Sequence, residues 1–343
     1  MSGQAKGKQR NDVVDMLRGI AMLLVVLGHT MMNGATGAEG TIVFNIIWTL
    51  QMPLFILISG YVTKYSRGIS DFKSLLKYLL RKTIAYMLPW VIWTFVVRGL
   101  IIQQENFLDV KYLLWHMDAG YWFLCTIWMI AVIFGVAQYV GAKLPKGKVL
   151  GVTVTYGLGA GLLLLLGKLF GLGFLGIKLT LYYMPFYFAG YLYGQYGDLL
   201  AQKKFGKILR RIVLFGALAL WLVLVVLFRT YSMTDNGSAI LIRAVSSMAG
   251  CIAVCGLGPV LSKLSGTVFG RGLKSTGTHS LEIYLIHTLV LEVVKAKDLP
   301  EMVSFKGAAI VLITFALTMM ISAVAIYILN RTKLSRKILF GKD

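Results

Sequence analysis

The stretch Asp12–Thr30, DVVDMLRGIAMLLVVLGHT, decides how the rest of the chain is read. It is apolar over about the 20 residues that a helix needs to cross a hydrocarbon core, yet it holds Asp15, Arg18 and His29. A cleavable signal segment has a shorter apolar stretch followed by a small-residue cleavage site. This run has neither, so it is expected to stay as a transmembrane helix. Ionisable groups at bilayer depth cost about 3 kcal/mol each at the helix centre. Their placement is therefore informative. At 100° per residue, Arg18 and His29 return to within about 20° of one another, and Asp15 and His29 to within about 40°. All three line one flank, which must face a bundle interior or a wet cavity.

Composition extends this reading to the whole chain. Of 343 residues, 57% are hydrophobic and 14% charged, against about 25% charged in a soluble domain. Ten apolar spans are expected, at 13–33, 42–62, 84–103, 121–141, 149–167, 179–196, 212–229, 240–261, 277–294 and 307–330. The fold class is an all-α integral membrane protein, a bundle of about ten transmembrane helices. Residues 1–12 and 331–343 are basic tails around a single transmembrane domain at 13–330. The segment 74–83 reads as an amphipathic lead-in on the membrane surface. With the N-terminus inside, inner segments hold 25 Lys and Arg and outer segments 8, a bias that puts both termini in the cytoplasm. The net charge of +21 sits in short clusters between apolar runs. It therefore points to anionic lipid and argues against nucleic acid. Cys125, Cys251 and Cys255 lie in apolar helices without a nearby histidine, so packing is expected and no metal site.

The flank on the first span suggests chemistry. Arg18 and His29 lie roughly 16 Å apart along the axis, close to the extended reach of a pantetheine arm, about 15 Å. An arginine at the inner mouth suits a coenzyme phosphate, and a neutral imidazole further out suits proton abstraction from a hydroxyl. Asp15 completes the candidate catalytic set. The plainer alternative is an Asp15–Arg18 pair near the headgroups and a His29 bonded to a carbonyl at the outer interface.

Five segments in order resemble the membrane acyltransferase 3 family. The first helix has the family's Arg, ten residues, then His, as Arg18 and His29. QMPLFILISGY (Gln51–Tyr61) is similar to its second helix and YWFL (Tyr121–Leu124) to its Trp-Phe-Leu segment. YYMPFYFAGYLYG (Tyr182–Gly194) is similar to its aromatic-glycine helix and HSLEIYLIH (His279–His287) to its late Ser-Leu…His helix. The resemblance implies a bacterial plasma-membrane O-acyltransferase that moves an acyl group, usually acetyl from acetyl-CoA, to a hydroxyl of an exported or lipid-linked glycan. It is most similar to small single-domain members such as fucose 4-O-acetylases, and it implies that Arg18 and His29 are essential.

Other positions carry two readings each. Lys77, Arg81 and Lys82 match a basic stretch of the family and would bind coenzyme phosphates, or else anionic lipid. Trp122, with Tyr182 and Tyr183, would stack on a sugar, or belong to an aromatic belt. His287 has a role in the cavity or bonds at the interface; Glu282 would pair with Arg18, Arg98 or an acceptor hydroxyl. Arg98 and Arg243 reach substrate phosphate or snorkel to outer headgroups. His116 and Asp118 read as loop polar groups, and His279 as a cap of the ninth helix. The competing function is a transporter or export component for a polysaccharide. The inverted repeats usual in transporters are not evident in this sequence.

Overall fold

Asn11 closes the start of the first helix, its side-chain oxygen accepting from the N–H groups of Val13 and Val14 at 3.1 and 3.3 Å. Such a cap stabilises a helix by about 1 kcal/mol. The computed structural model describes residues 11–117, 120–144, 147–202, 204–231, 233, 236–294 and 299–342. Its helices are α1 (Asp12–Gly34), α2 (Ile42–Tyr61), α3 (Phe72–Val91), α4 (Val110–Trp115), α5 (Trp122–Ala142), α6 (Lys148–Phe170) and α7 (Ile177–Gln202). They continue as α8 (Lys204–Leu227), α9 (Gly237–Cys255), α10 (Gly258–Leu264), α11 (Val268–Thr278), α12 (Ser280–Val294), α13 (Phe305–Leu329) and α14 (Lys333–Phe340). Among the described residues the β structure is one isolated bridge between Thr36 and Glu301.

Eight helices among the described residues are long and apolar enough to cross a membrane. The other two expected spans are also helical, as α7 and α12. Tyrosines and the ends near Lys178 and Asp198 make α7 less apolar, and α12 has 15 described residues. The outward faces carry Leu158, Leu162 and Leu169 of α6, Phe215 and Leu227 of α8, and Leu312 and Ile328 of α13, all exposed. So much apolar surface is stable only against lipid. The protein is a multi-pass, all-α membrane protein.

The chain divides into two compact units, residues 1–58 with 196–323, and 59–195 with 324–343. In the first unit, α1 packs on α11 and on α12. Its backbone touches α11 because both sides are glycine. A Cβ at Gly19 would lie 2.1 Å from the Leu273 carbonyl oxygen, and one at Gly277 would lie 1.7 Å from that of Asp15. Lys274 adds an ion pair to Asp12 at 2.9 Å. Further along, Met31, Ala35, Phe44, Ile47 and Val311 form a buried cluster. Asn45 clamps the end of α8: its Nδ2 donates to the carbonyls of Val225 (2.8 Å) and Phe228 (2.6 Å). Its Oδ1 accepts from the Thr230 N–H (3.1 Å) and hydroxyl (2.6 Å). The Arg243 guanidinium donates to the backbone carbonyls of Thr230 (2.7 Å) and Met233.

In the second unit, α3 starts at a reciprocal cap. The Ser74 N–H donates to Asp71 Oδ1 at 2.9 Å, and the Asp71 N–H to Ser74 Oγ at 3.2 Å. The helix begins at Phe72, twelve residues before the expected start at 84, and passes through Pro89 to Val91. It then continues as Ile92–Ile101 in wider turns, bonded five residues back as in Ile102 N–H to the Val97 carbonyl, 2.9 Å. Arg98 in this segment is buried, its guanidinium 5.2 Å from the rings of both Phe107 and Tyr121 and bonded to Gln104 at 3.1 Å. The expected snorkelling of Arg98 is thus replaced by an aromatic sandwich. Gly60 lets the end of α2 meet α7, since a Cβ there would stand 1.9 Å from the Tyr187 carbonyl oxygen. The stretch 331–343 contains α14, which packs on α3 with Phe340 fully buried and the Leu339 carbonyl accepting from Trp93 Nε1 at 2.8 Å.

Candidate functional site

Within the first unit, α1 presents its ionisable flank to α11 and α12. Asp15 is buried, and its carbonyl lies against Gly277 of α11. Arg18 keeps 28% of its side chain exposed and holds Asp15 at 3.9 Å, one turn along the helix. That distance is the loose end of an ion pair. The plain reading of a local Asp15–Arg18 pair is therefore realised in geometry.

His29 points at α12. Its Nδ1 stands 3.0 Å from Nε2 of His287, with ring centroids 5.1 Å apart and the planes tilted by 36°. His287 is fully buried, and its Nδ1 stands 2.9 Å from the carbonyl oxygen of Ile283, one turn back on α12. His29 itself is only partly buried. The pair therefore has a sealed rear member and an accessible front member. An interfacial role bonding a carbonyl does not describe either ring alone, because each ring is also bonded to the other.

Glu282, one turn earlier on α12 than Ile286, is 1% exposed, a carboxyl in the core of the same unit. Gln51 of α2 stands beside α1: its Oε1 would lie 3.0 Å from a Cβ at Gly28, the residue before His29. That oxygen is buried and has no hydrogen-bond partner among the described residues. His279 sits at the junction of α11 and α12. Its ring turns back to the Ser275 carbonyl (3.0 Å), so it caps the end of α11, and its own carbonyl accepts from the Ile283 N–H (2.9 Å) to begin α12.

The remaining candidates belong to the second unit. Lys77 and Arg81 are exposed on one face of α3, while Lys82 is turned away over the rings of Tyr78 and Tyr86, at 5.7 and 5.4 Å. Only the first two share a face. Trp122, the first residue of α5, stacks on Tyr183 of α7 with centroids 5.6 Å apart and planes 18° apart. Tyr182 meets Tyr183 edge-on at 5.0 Å. His116 stacks on Tyr112 at 4.3 Å and bonds its carbonyl, a local loop contact; Asp118 lies outside the described residues. Among the described residues no cluster of three or more His, Cys, Asp or Glu is arranged to hold a metal ion, and the three cysteines are free thiols in helices.

Sequence reasoning singled out His287 but not its partner, because the facing of two helices 258 positions apart is a tertiary fact. The signal that did exist was the ring's position in the late His279–His287 segment. Gln51 opens the segment Gln51–Tyr61, and nothing in its spacing marks it out from its neighbours. An amide in an apolar run at 42–62 was the available cue.

Residues 11–328 match a family model described as an acyltransferase domain. No curated protein and no solved structure matches the chain. The match takes in α1 to nearly the end of α13, including every residue of the histidine pair and of the Asp15–Arg18 pair. The chain belongs to the membrane acyltransferase 3 family.

Proposed function

We propose that the protein transfers an acyl group, acetyl in the simplest case, from cytoplasmic acyl-CoA to a hydroxyl of an extracytoplasmic or lipid-linked glycan. The observation that carries this reading is His29, partly accessible on the family's first helix and held from behind by His287. An imidazole so placed is a general base of the right type for a hydroxyl nucleophile. The acceptor oxygen attacks the thioester carbonyl carbon while His29 takes its proton. The carbon–sulfur bond then breaks, and the leaving thiolate recovers that proton from the imidazolium. The products are an O-acyl ester and free coenzyme A.

Arg18 is suited to the anionic end of the donor, as a planar guanidinium matches phosphate bidentately. Asp15 at 3.9 Å orients it. Lys77 and Arg81 on α3 are further cations for phosphate. The bias of Lys and Arg toward inner segments supports a cytoplasmic N-terminus and a cytoplasmic donor. Trp122 and Tyr183 offer a stacked aromatic face for a sugar ring.

The test is O-acyl analysis of surface glycans from cells with and without the gene, complemented by wild type or His29→Ala. Ester restored by the wild type alone, with both proteins equally present in the membrane, is the expected result. Equal restoration by His29→Ala removes the base from this account.

A further inference from the structure

On α2 the buried polar side chains are Asn45, Thr49 and Gln51. The first two are bonded toward α8: Asn45 clamps the end of that helix, and Thr49 Oγ1 accepts from Trp221 Nε1 at 3.1 Å. Gln51 faces α1 instead. It is 7% exposed, and its Oε1 has no hydrogen-bond partner among the described residues. An acceptor left unmet in the interior carries its full desolvation penalty, and a bound group with an N–H or O–H donor removes that penalty. The place of the oxygen on α1 narrows the choice of donor. A Cβ at Gly28 would lie 3.0 Å from it, so the glycine makes room for the amide. With Arg18 taken as zero, 100° per residue puts Gly19 at about +100°, Gly28 at about −80° and His29 at about +20°. Gly19 meets α11 and Gly28 meets α2. The flank bearing Arg18 and His29 thus runs between those two helices, with Gln51 at one side of it.

We infer that Gln51 is a binding residue for the acyl donor: its side-chain oxygen accepts from the amide N–H nearest the sulfur of the pantetheine arm. The inference rests on the acyl-transfer reading. In that arm the last amide nitrogen stands two carbons before the sulfur, about 4 Å away by ordinary bond lengths. With phosphate at Arg18 and sulfur at His29, a rise of about 1.5 Å per residue brings that nitrogen to the level of Val26 to Gly28. Gln51 lies at that level, beside Gly28. An amide N–H drawn into an apolar interior needs an acceptor as much as the glutamine oxygen needs a donor, and pairing them answers both. A sugar hydroxyl is the competing donor. One oxygen next to Ile47 suits a single N–H on an otherwise apolar stretch of arm, whereas a sugar presents several hydroxyls that each need a partner.

The test compares coenzyme A with an analogue whose thiol-side amide N–H is replaced by an ester oxygen, first as ligands and then, acetylated, as donors. Equilibrium binding to the purified wild type in detergent should be about 10- to 100-fold tighter for the amide form, the range set by an acceptor stranded in the interior. Gln51→Met keeps the length of the side chain and removes the oxygen. In that variant the preference should shrink to about threefold or less, which closes a cycle between the oxygen and the N–H. The ratio of kcat/KM for the two acetylated donors should follow the same pattern, with KM for the glycan unchanged. Equal binding of the two ligands by the wild type overturns the inference, and that arm needs no variant to fold. A preference that survives in Gln51→Met overturns it too. If that variant instead raises KM for the glycan and keeps the donor preference, the oxygen serves an acceptor hydroxyl and the inference is again overturned. A wild type that prefers the amide form yet transfers to no acceptor sinks the acyl-transfer reading and leaves the coenzyme contact standing. Transfer without that preference does the reverse.

Discussion

The contact between α1 and α11 is testable by a single methyl group. In Gly277→Ala the new Cβ would lie 1.7 Å from the Asp15 carbonyl oxygen, 2.7 Å from its carbonyl carbon and 2.9 Å from the Gly19 nitrogen. Ordinary contact lies near 3.5 Å, so the two backbones must part by roughly 1.8 Å. Every obstacle is main chain, and no rotamer change relieves it. Overpacking of a filled interior costs about 1–3 kcal/mol, and more where nothing can yield; about 3 kcal/mol is expected here. Gly272 on the same helix is the control. A Cβ there meets nothing within 4 Å, so Gly272→Ala should be neutral or stabilise by about 0.5–1 kcal/mol through helix propensity. The free thiols Cys125, Cys251 and Cys255 supply the assay, since their labelling by a thiol-reactive dye on heating reports unfolding in detergent. A lowered midpoint for Gly277→Ala beside an unchanged or raised one for Gly272→Ala is the predicted pattern. Equal midpoints for all three proteins refute the backbone contact.

Three more expectations follow from the site and its frame. Asn45→Asp removes both donations to Val225 and Phe228 and sets a carboxylate against two carbonyls. It should cost more than Asn45→Ala, itself about 2–3 kcal/mol, in the same dye assay. Arg18→Ala should raise KM for acyl-CoA and lower kcat/KM by at least about tenfold, whereas Arg18→Lys retains a charge without the fork and falls between; titration of the donor measures both. The Ser74 N–H on its carboxylate holds Asp71 below its ordinary value of 3.8. Its cap is therefore stronger above that pH and is lost as pH falls through the lower folded value. The midpoint gap between wild type and Asp71→Ala should accordingly shrink in acid.

The ionisable flank of α1 was legible in the sequence because a helix has a fixed angular step, and spacing alone aligns Asp15, Arg18 and His29. The membrane class was legible from missing charge. The amphipathic lead-in at 74–83 is legible too, but not its continuity with the span after 84 as one helix from Phe72, nor the helix start at Lys204. A hydropathy reading ends a span at its cations, although Lys and Arg are good helix formers and Asp71 with Ser74 supplies the start signal. Arg98 was misread for a related reason. Within a span the lipid-facing and inward-facing sides look alike by composition, and the wider turns after Val91 change the angular step. His287 was visible as a position but not as a partner, since which helix meets α1 depends on Gly19 and Gly277 allowing α11, and with it α12, to come close.

The central claim is that His29 moves a proton while an acyl group leaves coenzyme A for a hydroxyl. Its most direct measurement is the wild type and His29→Ala in sealed vesicles, with labelled acyl-CoA supplied on the side of Arg18 and a glycan acceptor on the other. The account predicts one free coenzyme A for each ester formed by the wild type, and a fall of about 10²–10⁴ for the variant. Movement of the glycan across the vesicle without consumption of acyl-CoA would contradict it, as would an undiminished rate in His29→Ala.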